Sequence, residues 1–203
     1  MDRILVVGTS CSGKSTFGRS LSSQFGHAYV DLDELHWGPN WTPKPDPQFR
    51  QLIDAAISNP RWVVAGNYGK VRDLLWSRAT CIIWLNYSFP TVFGRAIRRS
   101  IKRVWNKEEL FSGNRESFRR SFLSRKSILL WVITTFRRRR RELNDLRLNT
   151  AYRDLHWVEC RHPSDARDLL EHLSRATANP AVSSDVPCTS VLSAGRSGGT
   201  PVT

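Results

Sequence analysis

Eight residues near the start of the chain, Gly8-Thr9-Ser10-Cys11-Ser12-Gly13-Lys14-Ser15, have the types and spacing to hold a nucleotide phosphate. Gly8 and Gly13 permit backbone angles that side chains forbid, so successive N–H groups can turn inward on an anion. Lys14 would reach the β- and γ-phosphates, and the Ser15 hydroxyl would take Mg²⁺. With Thr16 these residues form the expected nucleotide-binding set, which makes ATP and Mg²⁺ the expected cofactors. Average residue usage would produce such a pattern by accident in roughly one chain of this length in a hundred.

The chemistry requires a strand before this loop and a helix after it, and the sequence supplies both. Arg3-Ile4-Leu5-Val6-Val7 is a short β-branched apolar run that reads as a buried strand. Beyond Ser15, Phe17, Leu21 and Phe25 recur at helical spacing until Gly26 stops the helix. The free N–H groups and partial positive charge of that helix N-terminus would then face the phosphate.

Further along, strands alternate with helices. Ala28 to Leu32, Trp62 to Ala65, Cys81 to Leu85 and His156 to Glu159 read as four more strands. The intervening helices begin near Asp46-Pro47, near Val71, at Ser88–Pro90, near Ser127 and at Pro163, the last capped by Ser164. The face Phe93, Ile97, Ile101 and Val104 is expected to pack on the core, with Arg95, Arg98, Arg99 and Lys102 opposite. The alternation predicts a parallel, doubly wound α/β sheet with helices on both faces. Ligands in such sheets bind at the carboxyl ends of the strands, which places Ser10–Ser15, Asp31–Asp33, Gly66–Tyr68 and Asn86 along one rim.

Several of these rim residues suit phosphoryl transfer. Asp31 and Asp33 stand two apart where a strand becomes a loop. Asp33 could hold a Mg²⁺-bound water or accept a proton from an acceptor hydroxyl, and either residue could instead cap the following turn. Trp37 and Trp41 bracket a proline-rich loop, where they could stack on a ligand ring or pack beneath the loop.

The chain carries a net charge of +13, and the distribution of that charge is informative. Sixteen Lys and Arg lie between Gly94 and Arg141 against three glutamates, an excess equal to that of the whole protein. Such a stretch expects an anionic partner. It reads first as a lid, about 105–126, whose Arg115 and Arg119 close over the migrating phosphoryl group. The second reading is a nucleic-acid surface and the third a solvated face. In Arg137–Arg141, five consecutive helical residues point in all directions, so some must turn toward the protein.

With 203 residues, 40% of them hydrophobic, the chain can bury one sizeable core, read as a single domain over 1–175. From 176 to 203 the sequence is mostly Ser, Thr, Pro, Gly and Ala without an aromatic residue, which predicts a disordered tail. No apolar run approaches the ~20 residues of a membrane span, and no signal-peptide layout is present. Cys11, Cys81, Cys160 and Cys188 show no metal spacing, so reduced thiols and a cytoplasmic location are expected. The oligomeric state is left open.

Taken together, Gly8–Ser15, the run Asp31-Leu32-Asp33-Glu34-Leu35-His36-Trp37, Gly66-Asn67-Tyr68 and the Arg-rich helix resemble the adenylate-kinase-related P-loop proteins, many of them labelled topology modulation proteins. The resemblance covers about residues 1–173. It implies a nucleoside monophosphate kinase-like fold with five parallel strands, an acceptor-binding region over 34–58 and a lid before the last strand. It further implies that Lys14 and Ser15 serve the donor phosphate and metal, that Asp31, Asp33, Trp37, Asn67 and Arg72 meet the acceptor, and that Arg161 lies near the donor base. Adenylate kinases proper carry acids where this chain ends strand three with Ala65-Gly66-Asn67 and strand four with Asn86. Asp31 or Asp33 would therefore take the metal, and Lys70 or Arg72 the acceptor phosphate. The implied activity is transfer of the γ-phosphoryl group of ATP·Mg to a small acceptor. The rivals are a nucleotide-dependent nucleic-acid-binding or regulatory ATPase, and a P-loop scaffold without chemistry.

Overall fold

The computed structural model describes residues 1–106 and 128–178. Arg115, Arg119, most of the expected lid and residues 179–203 of the expected tail lie outside the described residues.

Five short apolar runs form the strands β1 (Arg3–Gly8), β2 (Ala28–Asp31), β3 (Trp62–Ala65), β4 (Cys81–Leu85) and β5 (His156–Cys160). All pair in parallel, in the order β2-β3-β1-β4-β5. Sheets of this kind are covered on both faces, which is why the strands read as unbroken apolar runs. Ile4 and Val6 join one core cluster while Leu5 and Val7 join the other, as the two-residue period of a strand requires. Trp62, wholly buried in β3, is among the largest fully enclosed side chains.

The helices are α1 (Lys14–Phe25), α2 (Leu32–His36), α3 (Asp46–Ala56), α4 (Arg72–Trp76), α5 (Phe89–Asn106), α6 (Ile128–Leu148) and α7 (Pro163–Ala178). Phe17 and Leu21 of α1, Val92 and Ala96 of α5, and Ala166 and Leu169 of α7 pack in the first cluster. Phe49 and Ile53 of α3 and Leu75 and Trp76 of α4 pack in the second. Helix α6 belongs to both, with Val132 and Phe136 in the first cluster and Leu143 in the second. Its 21 residues, about 31 Å at 1.5 Å per residue, are long enough to pass from one face to the other.

Three sequence expectations change. The inward face of α5 is Val92, Ala96 and Ser100, with Phe93 half-buried against the same core, whereas Ile101, expected inside, is half exposed; the Val104 side chain lies outside the described residues. The helix is turned by about one residue so that Arg95 and Arg99 reach the cleft beside the phosphate loop. At the start of α7 the Ser164 hydroxyl, expected to cap the helix, donates to the Asp165 carboxylate at 3.3 Å, and that carboxylate accepts from the preceding Arg161 and His162 amides at 2.8 and 2.9 Å. Helix α7 also continues to Ala178, past the expected start of the tail. Among the described residues, no helix is long and apolar enough to cross a membrane.

Candidate active site at the phosphate loop

The strand register aligns the carboxyl ends of the sheet. Val6 and Asp31 both lie opposite Ala65, and Gly8 and Cys160 both lie opposite Leu85. The rim expected from the sequence is therefore present, and a cleft of about 1140 Å³ opens along it. It is lined by Ser10 to Phe17, by Asp31, Asp33 and Glu34, by Arg95, Arg98, Arg99 and Lys102, and by Pro163, Ala166 and Arg167.

The loop between β1 and α1 is held in conformations its glycines allow. Gly8 has φ +154°, and a Cβ there would stand 2.8 Å from the Leu85 carbonyl oxygen. Gly13 has φ +95°, and Cys11 also takes a left-handed φ of 62°. Lys14 donates from Nζ to the Thr9 carbonyl at 2.9 Å, holding its ammonium across the loop. Burial lowers the Lys14 pKa, with Arg99 adding to the effect and Asp33, Cys11 and Asp31 opposing it. A half-buried ammonium beside a loop whose Gly13 and Cys11 take left-handed conformations fits a polyanion. So do the buried hydroxyls of Thr9 and Ser12, which have no hydrogen-bond partner among the described residues.

Across the cleft, the two aspartates divide their work. Asp31 is almost fully buried; it caps α2 by accepting from the Asp33 N–H at 3.0 Å and also accepts from the Tyr29 hydroxyl at 3.1 Å. Asp33 is half-buried and accepts from the Tyr68 hydroxyl at 2.5 Å. Burial and the neighbouring Asp33 charge push the Tyr68 pKa far above its ordinary value, so it remains a donor. Ser15, Asp31 and Asp33 thus face one cavity with Lys14. Mg²⁺ commonly takes only one or two protein ligands, with water and phosphate oxygens for the rest, so this set fits the metal. No cluster of three or more metal-ligating side chains occurs among the described residues.

Other expected site residues lie elsewhere. Trp37 packs edge-on against His36 and Trp41, with ring centroids 4.8 and 5.8 Å away, and is outside the cleft lining. His36 sits among Trp37, Phe49 and Tyr68, and its burial lowers its pKa. Asn67 is also outside the lining, and its buried Nδ2 has no partner among the described residues. Arg72 pairs with Glu142 of α6, stacks over Trp76 at 5.6 Å and lines a second cavity with α6. Arg161 pairs with Glu159, which also receives the Asn86 amide at 2.6 Å and Arg147 at 2.9 Å. Burial opposes the Glu159 charge, yet Arg161, Asn86 and Arg147 together hold its carboxyl below its ordinary value. The acid missing from the end of β4 is thus supplied beside Asn86 by β5, but bound to two arginines.

The residues that sequence reasoning missed are on α5. Arg95 Nη1 donates to the Ser12 carbonyl at 2.6 Å and its guanidinium lies 4.8 Å from the Tyr87 ring centroid. Together with Arg98, Arg99 and Lys102 it follows the i, i+3, i+4, i+7 spacing of one helix face. That spacing is present in the sequence, which by itself places the face opposite the core and does not turn it to the cleft. On α6, Trp131 Nε1 donates to Ser10 Oγ at 3.2 Å, a contact no spacing announces.

No family model and no curated protein matches the sequence. Among solved structures, the chain is similar to a gluconokinase from Sinorhizobium meliloti 1021, at 19% identity over 91% of this chain and 98% of that one, with a TM-score of 0.48. It is also similar to shikimate kinases from Acinetobacter baumannii and Aquifex aeolicus vf5. The first is 17% identical over 88% and 93% of the two chains, TM-score 0.46; the second is 14% identical over 89% and 98%, TM-score 0.49. The function is argued from the site's own geometry. That geometry and the strand order make the chain a doubly wound α/β domain with a five-stranded parallel sheet and a phosphate-binding loop between β1 and α1.

Proposed function

We propose that this protein is an ATP·Mg-dependent phosphotransferase that moves the γ-phosphoryl group to a hydroxyl of a small acceptor. The observation that carries the reading is the placement of Lys14, Ser15, Asp31 and Asp33 around one cleft with the α5 cations. Phosphoryl transfer needs a held donor, cations around the migrating group and a positioned acceptor, and little covalent help.

In this reading the loop amides and Lys14 bind the β- and γ-phosphates, and Arg95 braces the loop through Ser12. Ser15, with Asp31 or Asp33, would hold Mg²⁺, which neutralises phosphate charge when bound. Asp33 accepts the proton of the acceptor hydroxyl, and the Tyr68 hydroxyl fixes its carboxylate. The wall bearing Asp31, Asp33 and Glu34 is acidic, and Arg72, the candidate for an acceptor phosphate, is turned to another cavity. Both features favour an uncharged hydroxyl metabolite over a nucleoside monophosphate, whose phosphate would meet the carboxylates of Asp31 and Asp33, Glu34 being paired with Arg19. The finer likeness to the topology modulation group rests on the Asp31–Trp37 and Gly66–Tyr68 motifs. Arg115 and Arg119 remain the proposed lid arginines.

The test is ATP consumption by the purified protein against panels of sugars, polyols, nucleosides and nucleoside monophosphates, with Lys14→Ala as the blank. A hydroxyl acceptor that raises turnover at least tenfold supports the reading. Stimulation by nucleoside monophosphates alone refutes the acceptor assignment, and ATP binding without stimulation by any acceptor refutes the transferase.

A further inference from the structure

Basic side chains gather in a second place, apart from the phosphate loop. Thr134, Arg137, Arg138, Arg141 and Asp145 follow helical spacing and share one face of α6. That face and Arg72, from the start of α4, line an open groove of about 610 Å³ whose lining shares no residue with the phosphate-loop cleft. The volume is that of a site for a small metabolite.

The charges in this groove are unevenly matched. Glu142 is shared between Arg72 and Arg139. Asp145 is the other carboxylate of the lining, while Arg137, Arg138 and Arg141 have no carboxylate partner among the described residues. Arg137, Arg138 and Arg141 are exposed, where arginines can stand unmatched at little cost, but they share one groove with a guanidinium from a distant part of the chain. Arg72 is also held in place, with its side chain 21% exposed, by Glu142 on one side and the Trp76 ring on the other. A fixed guanidinium beside flexible ones provides planar, bidentate donors for phosphate oxygens.

We propose that the groove between α4 and α6, built by Arg72, Arg137, Arg138 and Arg141, binds a small multiply charged anion of the phosphate-ester class. The site is independent of the phosphate loop, and the proposal does not rest on the transferase reading. Two features favour a small anion over a nucleic acid strand. No aromatic platform for stacking bases lines the groove, and Glu142 and Asp145 interrupt its run of cations.

Calorimetry with inorganic pyrophosphate as the probe tests this on the full chain. The phosphate loop is removed from the competition in two ways, by the Lys14→Ala variant and by saturating wild type with a non-hydrolysable ATP analogue. Pyrophosphate binding is expected to persist in both, and to weaken at least tenfold in Arg138→Ala/Arg141→Ala protein whose circular dichroism matches wild type. Should that double variant fail to fold, the analogue-saturated wild type decides alone: retained binding supports the second site and lost binding overturns it. Binding abolished by Lys14→Ala, or unchanged in the folded double variant, overturns the proposal. So does displacement of pyrophosphate by a single-stranded oligonucleotide of higher affinity at the same salt, which reassigns the groove to nucleic acid.

Discussion

Arg95, on α5, donates to the backbone carbonyl of Ser12 in the phosphate loop at 2.6 Å, across 83 positions of sequence. The guanidinium also lies over Tyr87, whose pKa is pushed up to about 12, mainly by burial. A hydrogen bond from a charged donor contributes about 1.5–3 kcal/mol. Arg95→Ala is therefore expected to weaken nucleotide binding by about tenfold or more, because the loop loses its brace. Calorimetric titration with ATP·Mg measures this, and an unchanged affinity would show that the loop holds its shape alone.

Lys14→Ala separates function from stability. Turnover is expected to fall by about 10²–10³-fold, the scale seen when one cationic or hydrogen-bonding group is removed from a transition state. The thermal midpoint should not fall, since burial disfavours the ammonium in the folded protein. Loss of activity with a midpoint many degrees lower would give Lys14 a structural role instead.

The same residue sets a pH dependence. The folded pKa of Lys14 lies below the ordinary 10.5, so the unfolded chain binds more protons in the intervening window and this group's contribution to stability rises with pH there. A phosphate beside the ammonium raises its pKa again. Nucleotide binding in the window below pH 10.5 should take up a proton, and that uptake should vanish toward lower pH as Lys14 becomes protonated before binding. Titrations in buffers of different ionisation enthalpy measure it, and proton release within that window would contradict the expected sign.

In the proposed reaction Asp33 and Tyr68 form the acceptor side. Asp33→Asn should lower kcat by about 10²–10⁴-fold while leaving the KM for ATP within a few-fold, as removal of a proton acceptor does. Tyr68→Phe leaves the carboxylate in place without its 2.5 Å hydrogen bond and should cost far less. If both variants lower kcat equally, Asp33 serves only to position the loop.

Gly66 tests the packing at the rim. Its φ is +151°, and a Cβ would meet the Leu32 Cβ at 2.6 Å, against a residue that is itself buried. Gly66→Ala should destabilise the fold by about 2 kcal/mol or more, from overpacking and backbone strain together. Chemical denaturation reads this directly, and a loss under about 0.5 kcal/mol would mean that β3 shifts freely at its end.

The five strands, the phosphate loop and the rim on which they converge were legible in the sequence because each is a local pattern. An apolar β-branched run has one period, and Gly8, Gly13 and Lys14 at fixed spacing have one conformational use. Parallel pairing then follows from the alternation of strands and helices, and carboxyl-end register puts Asp31 and Asp33 opposite Lys14.

What the tertiary structure decided was where each side chain of an amphipathic or wholly basic helix turns. Helix α5 offered two plausible faces, and only packing of Ala96 and Ser100 against the core chose the one that sends Arg95 to Ser12. Arg72 stands near a loop that sequence assigns to the acceptor, yet Glu142, 70 residues away, draws it into another cavity. Trp131 reaches Ser10 from 121 residues away. Such partners meet through long-range folding, and no periodicity within either segment encodes the meeting. Local conformational preferences therefore wrote the phosphate loop into the sequence, while the cations around it were assigned by the packing of helices against a sheet.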